Sequence, residues 1–225
     1  MKHTLLRYLF LWIAGGLCAW PYLARAQPCS LEVEWAGQAV TDGQIRPAAA
    51  ATDRDGNIIL TGAFEGALRL GHYTLHAAGA ADMFVCKLAP DGRVLWAKSN
   101  GGLHEDVAHA LGLDRAGNIY IAGAYTGSAT FEYINLEAAG GQDAYIAQYD
   151  SIGNLRWAIS AGAAGADAAY ALAADPEGGA YLAGSYEYTL HWEDRSIASS
   201  GKSDIFLARL DARGRLLWLH TAGGP

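Results

Sequence analysis

The chain reads as short apolar runs broken by turn residues. Ile119-Tyr120-Ile121-Ala122-Gly123-Ala124-Tyr125 and Ala144-Tyr145-Ile146-Ala147-Gln148-Tyr149 are rich in β-branched and aromatic side chains, as strands are. They are separated from the shorter stretches Ala110–Leu113 and Leu155–Ile159 by Asp114-Arg115-Ala116-Gly117-Asn118, Gly140-Gly141-Gln142-Asp143 and Ser151-Ile152-Gly153-Asn154. Such segments predict turns, because Asp and Asn bond nearby backbone and Gly supplies positive φ. Glycine recurs every few residues and no stripe of period 3.6 persists, so no helix is predicted.

The pattern repeats every 61 residues without insertion or deletion. Trp96, Trp157 and Trp218 keep this step, and Trp35 stands one step earlier. Asp53, Asp114 and Asp175 keep it, as do Asp82, Asp143 and Asp204, and Gly62, Gly123 and Gly184. Each copy supplies four strands joined by tight turns, a small antiparallel sheet whose faces stay wet unless copies stack. Stacked copies make an all-β β-propeller with one four-stranded blade per copy; a β-solenoid is the alternative. The organisation read this way is an N-terminal strand of a partial blade in 27–47, then blades over 48–108, 109–169 and 170–225. Propellers close with about four to eight blades, so three blades and one strand predict an incomplete ring in a truncated chain.

The recurrent string Asp-x-x-Gly-Asn-Ile-Tyr-Ile-Ala-Gly, then Gly-Gly-x-Asp-Ala-Tyr-Ile-Ala, then Gly-x-Leu-x-Trp-Ala, resembles the bacterial β-propeller repeat family called SBBP, over nearly all of residues 31–224. The resemblance implies an exported bacterial repeat protein with propeller or adhesion-like modules and, for most members, no assigned activity. The third copy departs from the pattern at Gly179, where Asn57 and Asn118 stand, and at Tyr188, where Gly66 and Gly127 stand.

The first 26 residues predict a secretory signal. Lys2 and Arg7 precede an apolar run from Tyr8 to Trp20, Pro21 breaks it, and Ala24-Arg25-Ala26 offers a small-x-small cleavage site before Gln27. The run is short of the roughly 20 residues that span a bilayer, so no transmembrane segment is expected after cleavage. The predicted location is secreted, cell-surface or periplasmic.

Composition narrows the chemistry. The net charge is −7, and the predicted signal carries Lys2, Arg7 and Arg25 but no acid, so the remainder is more acidic still. That argues against nucleic acid as a partner. Cys29 and Cys86 remain after cleavage, and whether they pair is left open.

No catalytic constellation stands out. His104-Glu105-Asp106-Val107-Ala108-His109 places two histidines five apart in a non-helical segment, whereas the zincin pattern needs four on one helix face. Asp53-Arg54-Asp55-Gly56-Asn57 begins like a calcium loop, but Phe64 occupies the twelfth position, where that loop carries Glu. Ser185 and Cys86 replace alanines of the other copies, and no nucleophile elbow or phosphate-cradling loop is present. The tryptophan series reads as inter-blade packing and the aspartate series as turn caps. Trp192 falls at an apolar repeat position held by Leu70 and Phe131. No cofactor or metal is expected, and a chelator is expected to change the melting temperature little. The reading is a structural or binding module for an extracellular protein or glycan, able to self-associate through open blade faces. The alternative is a non-catalytic fragment of a larger secreted enzyme or carbohydrate-binding protein.

Overall fold

The computed structural model describes residues 38–225. The signal-like segment 1–26, Cys29 and Trp35 lie outside these residues. The described chain is all-β and holds no helix. Its main body is three antiparallel sheets of four strands, each with its strands paired in the order of the chain. Blade 1 comprises β2 (Ile45–Thr52), β3 (Ile58–Phe64), β6 (Asp82–Leu88) and β7 (Val94–Asn100). Its outer edge carries a small three-stranded sheet of β1 (Ala39–Thr41), β4 (Ala67–Leu70) and β5 (Tyr73–His76). Blade 2 comprises β8 (Val107–Leu113), β9 (Ile119–Phe131), β10 (Ile134–Tyr149) and β11 (Leu155–Ala161). Blade 3 comprises β12 (Ala168–Ala174), β13 (Ala180–Trp192), β14 (Arg195–Leu210) and β15 (Leu216–Ala222). This is the β-propeller architecture, one repeat per blade.

Two details depart from the sequence reading. Repeat boundaries at 48, 109 and 170 fall inside the first strand of each blade, which begins at Ile45, Val107 and Ala168. Gly140-Gly141-Gln142-Asp143 is not a chain reversal. It lies within β10, where the pairing with β9 shifts register between Glu137 and Gln142. The reversal falls at Glu132 and Tyr133, so both middle strands extend well past the apolar runs. The shift absorbs surplus backbone that a turn would otherwise use.

Alternation of side chains along the strands gives each blade two apolar faces, and stacking buries those that meet a neighbouring blade. Ile59, Met83, Val85 and Trp96 of blade 1 meet Ile119, Ile121, Phe131, Tyr145 and Tyr149 of blade 2. Tyr120, Ala122 and Ile146, on the opposite face of blade 2, meet Leu182, Tyr186, Trp192 and Phe206 of blade 3. A third cluster, with Phe64, Phe84, Cys86 and Leu88, belongs to the other face of blade 1.

The glycine series marks the point where the first two strands of each blade come closest. The β2–β3, β8–β9 and β12–β13 pairings each shift register opposite Gly62, Gly123 and Gly184. A Cβ on these glycines would run into the carbonyl oxygen of Arg46, Val107 or Ala168. Bulge and glycine therefore recur together.

Candidate functional site

One edge of the stack is lined by Asx turns. Asp53 Oδ1 accepts the N–H groups of Asp55 (3.0 Å) and Asn57 (2.9 Å), while Oδ2 accepts the Asn57 amide (2.9 Å). Asp114 does the same with Ala116 and Asn118. Asp175 caps its turn through Glu177, and the lost Asn is replaced differently: the Gly179 N–H, at φ +93°, donates to Tyr120 Oη of blade 2. Asp150 and Asp211 build the same turn between the last two strands of blades 2 and 3.

The position after Cys86 in its strand fastens this edge differently in each blade. Lys87 pairs with Asp53 at 2.9 Å, both largely buried, and donates to the Ser151 carbonyl of blade 2. Gln148 donates to Tyr120 Oη, which reaches Asp114 at 3.2 Å. Arg209 pairs with Asp175 and lies over the Tyr181 ring. Burial alone would raise the Asp53 carboxyl, but the Lys87 and Asn57 donors override it and hold it at about 2.

Between these turns run two open clefts. The one between blades 2 and 3, about 770 Å³, brings Arg115, Arg156 and Arg213 around Trp157, with Asp114 and Glu177 on its rim. The one between blades 1 and 2, about 720 Å³, is lined by Asp53, Arg54, Lys87, Arg115 and Ser151.

At each junction a tryptophan meets a glycine turn of the next blade. A Cβ on Gly153 would stand 2.8 Å from the Trp96 ring, and one on Gly214 would stand 2.9 Å from the Trp157 ring. Trp157 Nε1 donates to the Ala212 carbonyl. Trp218 has its ring neighbours, Tyr181 and His220, within its own blade.

The other edge carries the second aspartate series. Asp82, Asp143 and Asp204 each accept with Oδ2 the N–H four residues back, from Ala78, Ala139 and Ser200. Their Oδ1 atoms are buried without a hydrogen-bond partner. A second acid stands 24 residues further on, at Asp106 and Asp167, in the connectors between blades. Asp106 accepts Gly102 N–H (2.6 Å) and, from blade 2, Thr126 N–H (3.1 Å). Asp167 accepts Ala163 N–H (2.7 Å) and, from blade 3, Glu187 N–H (2.9 Å). Each thus clasps two blades. Burial pushes the Asp106 carboxyl up to about 6 against its two N–H donors, and Asp82 beside it adds repulsion. Burial raises Asp82, Asp143 and Asp167 as well. Sequence reading passed over Asp106 and Asp167 because Ile45 breaks their series in the first copy and Asp106 sits inside the His104–His109 segment. The signal available was the paired spacing, Asp to Asp across 24 residues, in two successive copies.

The remaining candidates are not assembled into a site. His109 stacks on Tyr170 at 5.2 Å, and burial lowers its pKa. His104 lies against Gly127 instead. Cys86 is a free thiol, wholly buried, pushed up to about 12 by that burial. Ser185 sits mid-strand opposite Ala168. Trp192 is buried against Phe206. Among the described residues no group of three or more His, Cys, Asp or Glu side chains is placed to hold a metal ion, and no helix is long and apolar enough to cross a membrane.

No protein-family model matches the chain. It is similar to an uncharacterised WD repeat-containing protein of Acanthamoeba polyphaga mimivirus, 26% identical over 153 residues, which covers 60% of this chain and 11% of that protein. The chain therefore spans about a ninth of that relative's length. The likeness agrees with the stacked four-stranded sheets in describing a repeat propeller protein.

Proposed function

We propose that the chain is the propeller module of an exported protein and that it holds a partner. One observation carries this reading. Leu207 and Ile205 stand at the repeat positions of Val85 and Met83, which are wholly buried between blades 1 and 2, and of Ile146 and Ala144, which are 1% exposed. On blade 3 the same positions are 43% and 61% exposed. The surface that twice serves as a blade interface is here presented to solvent, and its natural occupant is a sheet face of the same repeat. Either a further blade of the repeat or a second copy of the chain presents such a face, and residues 27–225 taken alone can fill it only with a second copy.

The SBBP-like motif and the signal-like segment support export. The WD repeat relative supports the repeat-propeller architecture of the module; the activity of any larger protein that contains it is a separate proposal. A glycan platform has less support, since Trp96 and Trp192 are buried and the exposed Tyr133, Tyr170 and Tyr188 are each at a different repeat position.

Sedimentation tests the reading. The chain from Gln27 should associate reversibly with concentration, and material recovered from the producing cell should begin at Gln27 outside the cytoplasm. Cytoplasmic protein with Met1 intact refutes export. A monomer at every concentration refutes self-association.

A further inference from the structure

We propose that the two blade junctions are calcium sites, one between Asp82 and Asp106 and one between Asp143 and Asp167. The reasoning starts from an acceptor without a donor. Asp82 is 3% exposed and Asp143 is 2% exposed, yet the Oδ1 atom of each has no hydrogen-bond partner. A buried carboxylate oxygen left unmatched loses its hydration with no hydrogen bond in return, so one such atom calls for explanation, and the repeat carries it at the same position again in Asp204.

A second carboxylate faces the same space. The position where a Cβ on Gly101 would sit lies 2.9 Å from Asp82 Oδ1 and 2.8 Å from Asp106 Oδ2. For Gly162 the corresponding distances are 2.6 Å to Asp143 Oδ1 and 2.8 Å to Asp167 Oδ2. Gly101 and Gly162 are themselves one repeat apart, and Gly223 takes the same place beside Asp204. Acid, glycine and acid thus recur at intervals of 19 and 5 residues, and the missing side chain of the glycine lets both carboxylates close on one point of the backbone.

Two anionic oxygens turned toward one small space need positive charge. The atoms that meet beside Gly101 and Gly162 are carboxylate oxygens; His104 lies near Asp106 at the first junction but is replaced by Gly165 at the second, so the feature common to both is oxygen, which favours a hard cation over zinc or copper. Two carboxylates supplemented by carbonyl or water oxygen suit a weak calcium site of the extracellular kind, with Kd on the order of 10⁻⁴–10⁻³ M. Asp106 and Asp167 already join consecutive blades through Thr126 and Glu187. A bound ion would therefore tighten the blade junction. This inference does not depend on export or on a partner, and it reverses the sequence-based expectation that a chelator has little effect.

The test is calorimetric titration of the chelator-stripped chain with calcium chloride at neutral pH, with and without Asp106→Asn, Asp167→Asn and the double substitution. Two ions per chain are expected, one in each single variant and none in the double variant, with Asp91→Asn as an exposed control that leaves two. The unmodified chain should also melt several degrees higher in calcium than in chelator, a readout that survives if an Asn variant fails to fold. Absence of binding by the unmodified chain at about 10 mM calcium, well above the expected Kd range, overturns the proposal. So does retention of both ions by the folded double variant. If NMR shows each pair sharing one proton and titrating as a coupled acid with no response to calcium, the pair is a proton site and the proposal is also overturned.

Discussion

Gly153 makes room for the indole of Trp96. The two residues belong to successive blades, and a Cβ at Gly153 would stand 2.8 Å from the ring. Trp157 and Gly214 repeat the relationship one junction later. The tryptophan series and the glycine of the Gly-x-Leu-x-Trp motif are linked at both junctions, because Trp96 and Trp157 each lie on the glycine turn of the next blade.

Gly153→Ala should therefore cost more than its backbone alone explains. Gly153 sits at φ +89°, where an L residue costs roughly 1–2 kcal/mol, and displacing a packed ring adds about 1–3 kcal/mol. Gly117→Ala is the control: φ is +82°, but the nearest atom lies at 3.5 Å. Urea unfolding should show a loss about twice as large at Gly153 as at Gly117, and the excess should vanish in a Trp96→Ala background. Equal losses in both backgrounds would remove the proposed contact.

Tyr188 gives a prediction of the opposite sign. It has φ +56° and is 65% exposed, at the position where Gly66 (φ +68°) and Gly127 (φ +70°) supply the same conformation. Tyr188→Gly relieves strain of roughly 1–2 kcal/mol and buries nothing less, while the added freedom of the unfolded chain takes back part of the gain. A net stabilisation of about 0.5–1 kcal/mol is expected in thermal or urea melts. A loss of stability would mean that the tyrosine ring makes a contact worth more than the strain.

The fold was legible in the sequence because a 61-residue step without gaps places every turn three times. Trp96 and Gly153 were legible singly as marks of the repeat, but their contact was not, since it joins residues 57 apart in different blades. Gly140 and Gly141 misled, because a glycine pair looks the same in a bulge as in a reversal, and only the pairing of β9 with β10 distinguishes them. The orphaned Oδ1 atoms of Asp82 and Asp143 were beyond reach for a related reason: burial and unmet hydrogen bonding are properties of the assembled junction.

Acid should weaken the Lys87–Asp53 fastening in a defined window. The Asp53 carboxyl is depressed to about 2 from 3.8, so its contribution is complete above pH 4 and disappears as pH falls through 2. A depression of that size corresponds to about 2 kcal/mol. Asp53→Asn should be less stable than the parent by about that amount at pH 5 and should converge on it near pH 2. Urea melts at both values check it; a constant difference across the range would show that the pair contributes through packing alone.

The exposed face of blade 3 leads to the final prediction. Leu207 and Val85 occupy one repeat position, but Val85 is sealed against blade 2 while Leu207 meets solvent. Val85→Lys buries a charge in a dry junction without a partner and should cost more than about 3 kcal/mol, enough to unfold a marginal domain. Leu207→Lys should cost under about 0.5 kcal/mol, as surface substitutions do. Its effect should appear in association instead. The parent chain from Gln27 should scatter light as an oligomer and bind an apolar-surface dye. Leu207→Lys, alone or with Ile205→Lys, should shift it toward monomer and lower dye binding, with the melting temperature nearly unchanged at low concentration. A monomeric parent with little dye binding would show that this face needs no partner, and the assignment of blade 3 as the interaction surface would fall.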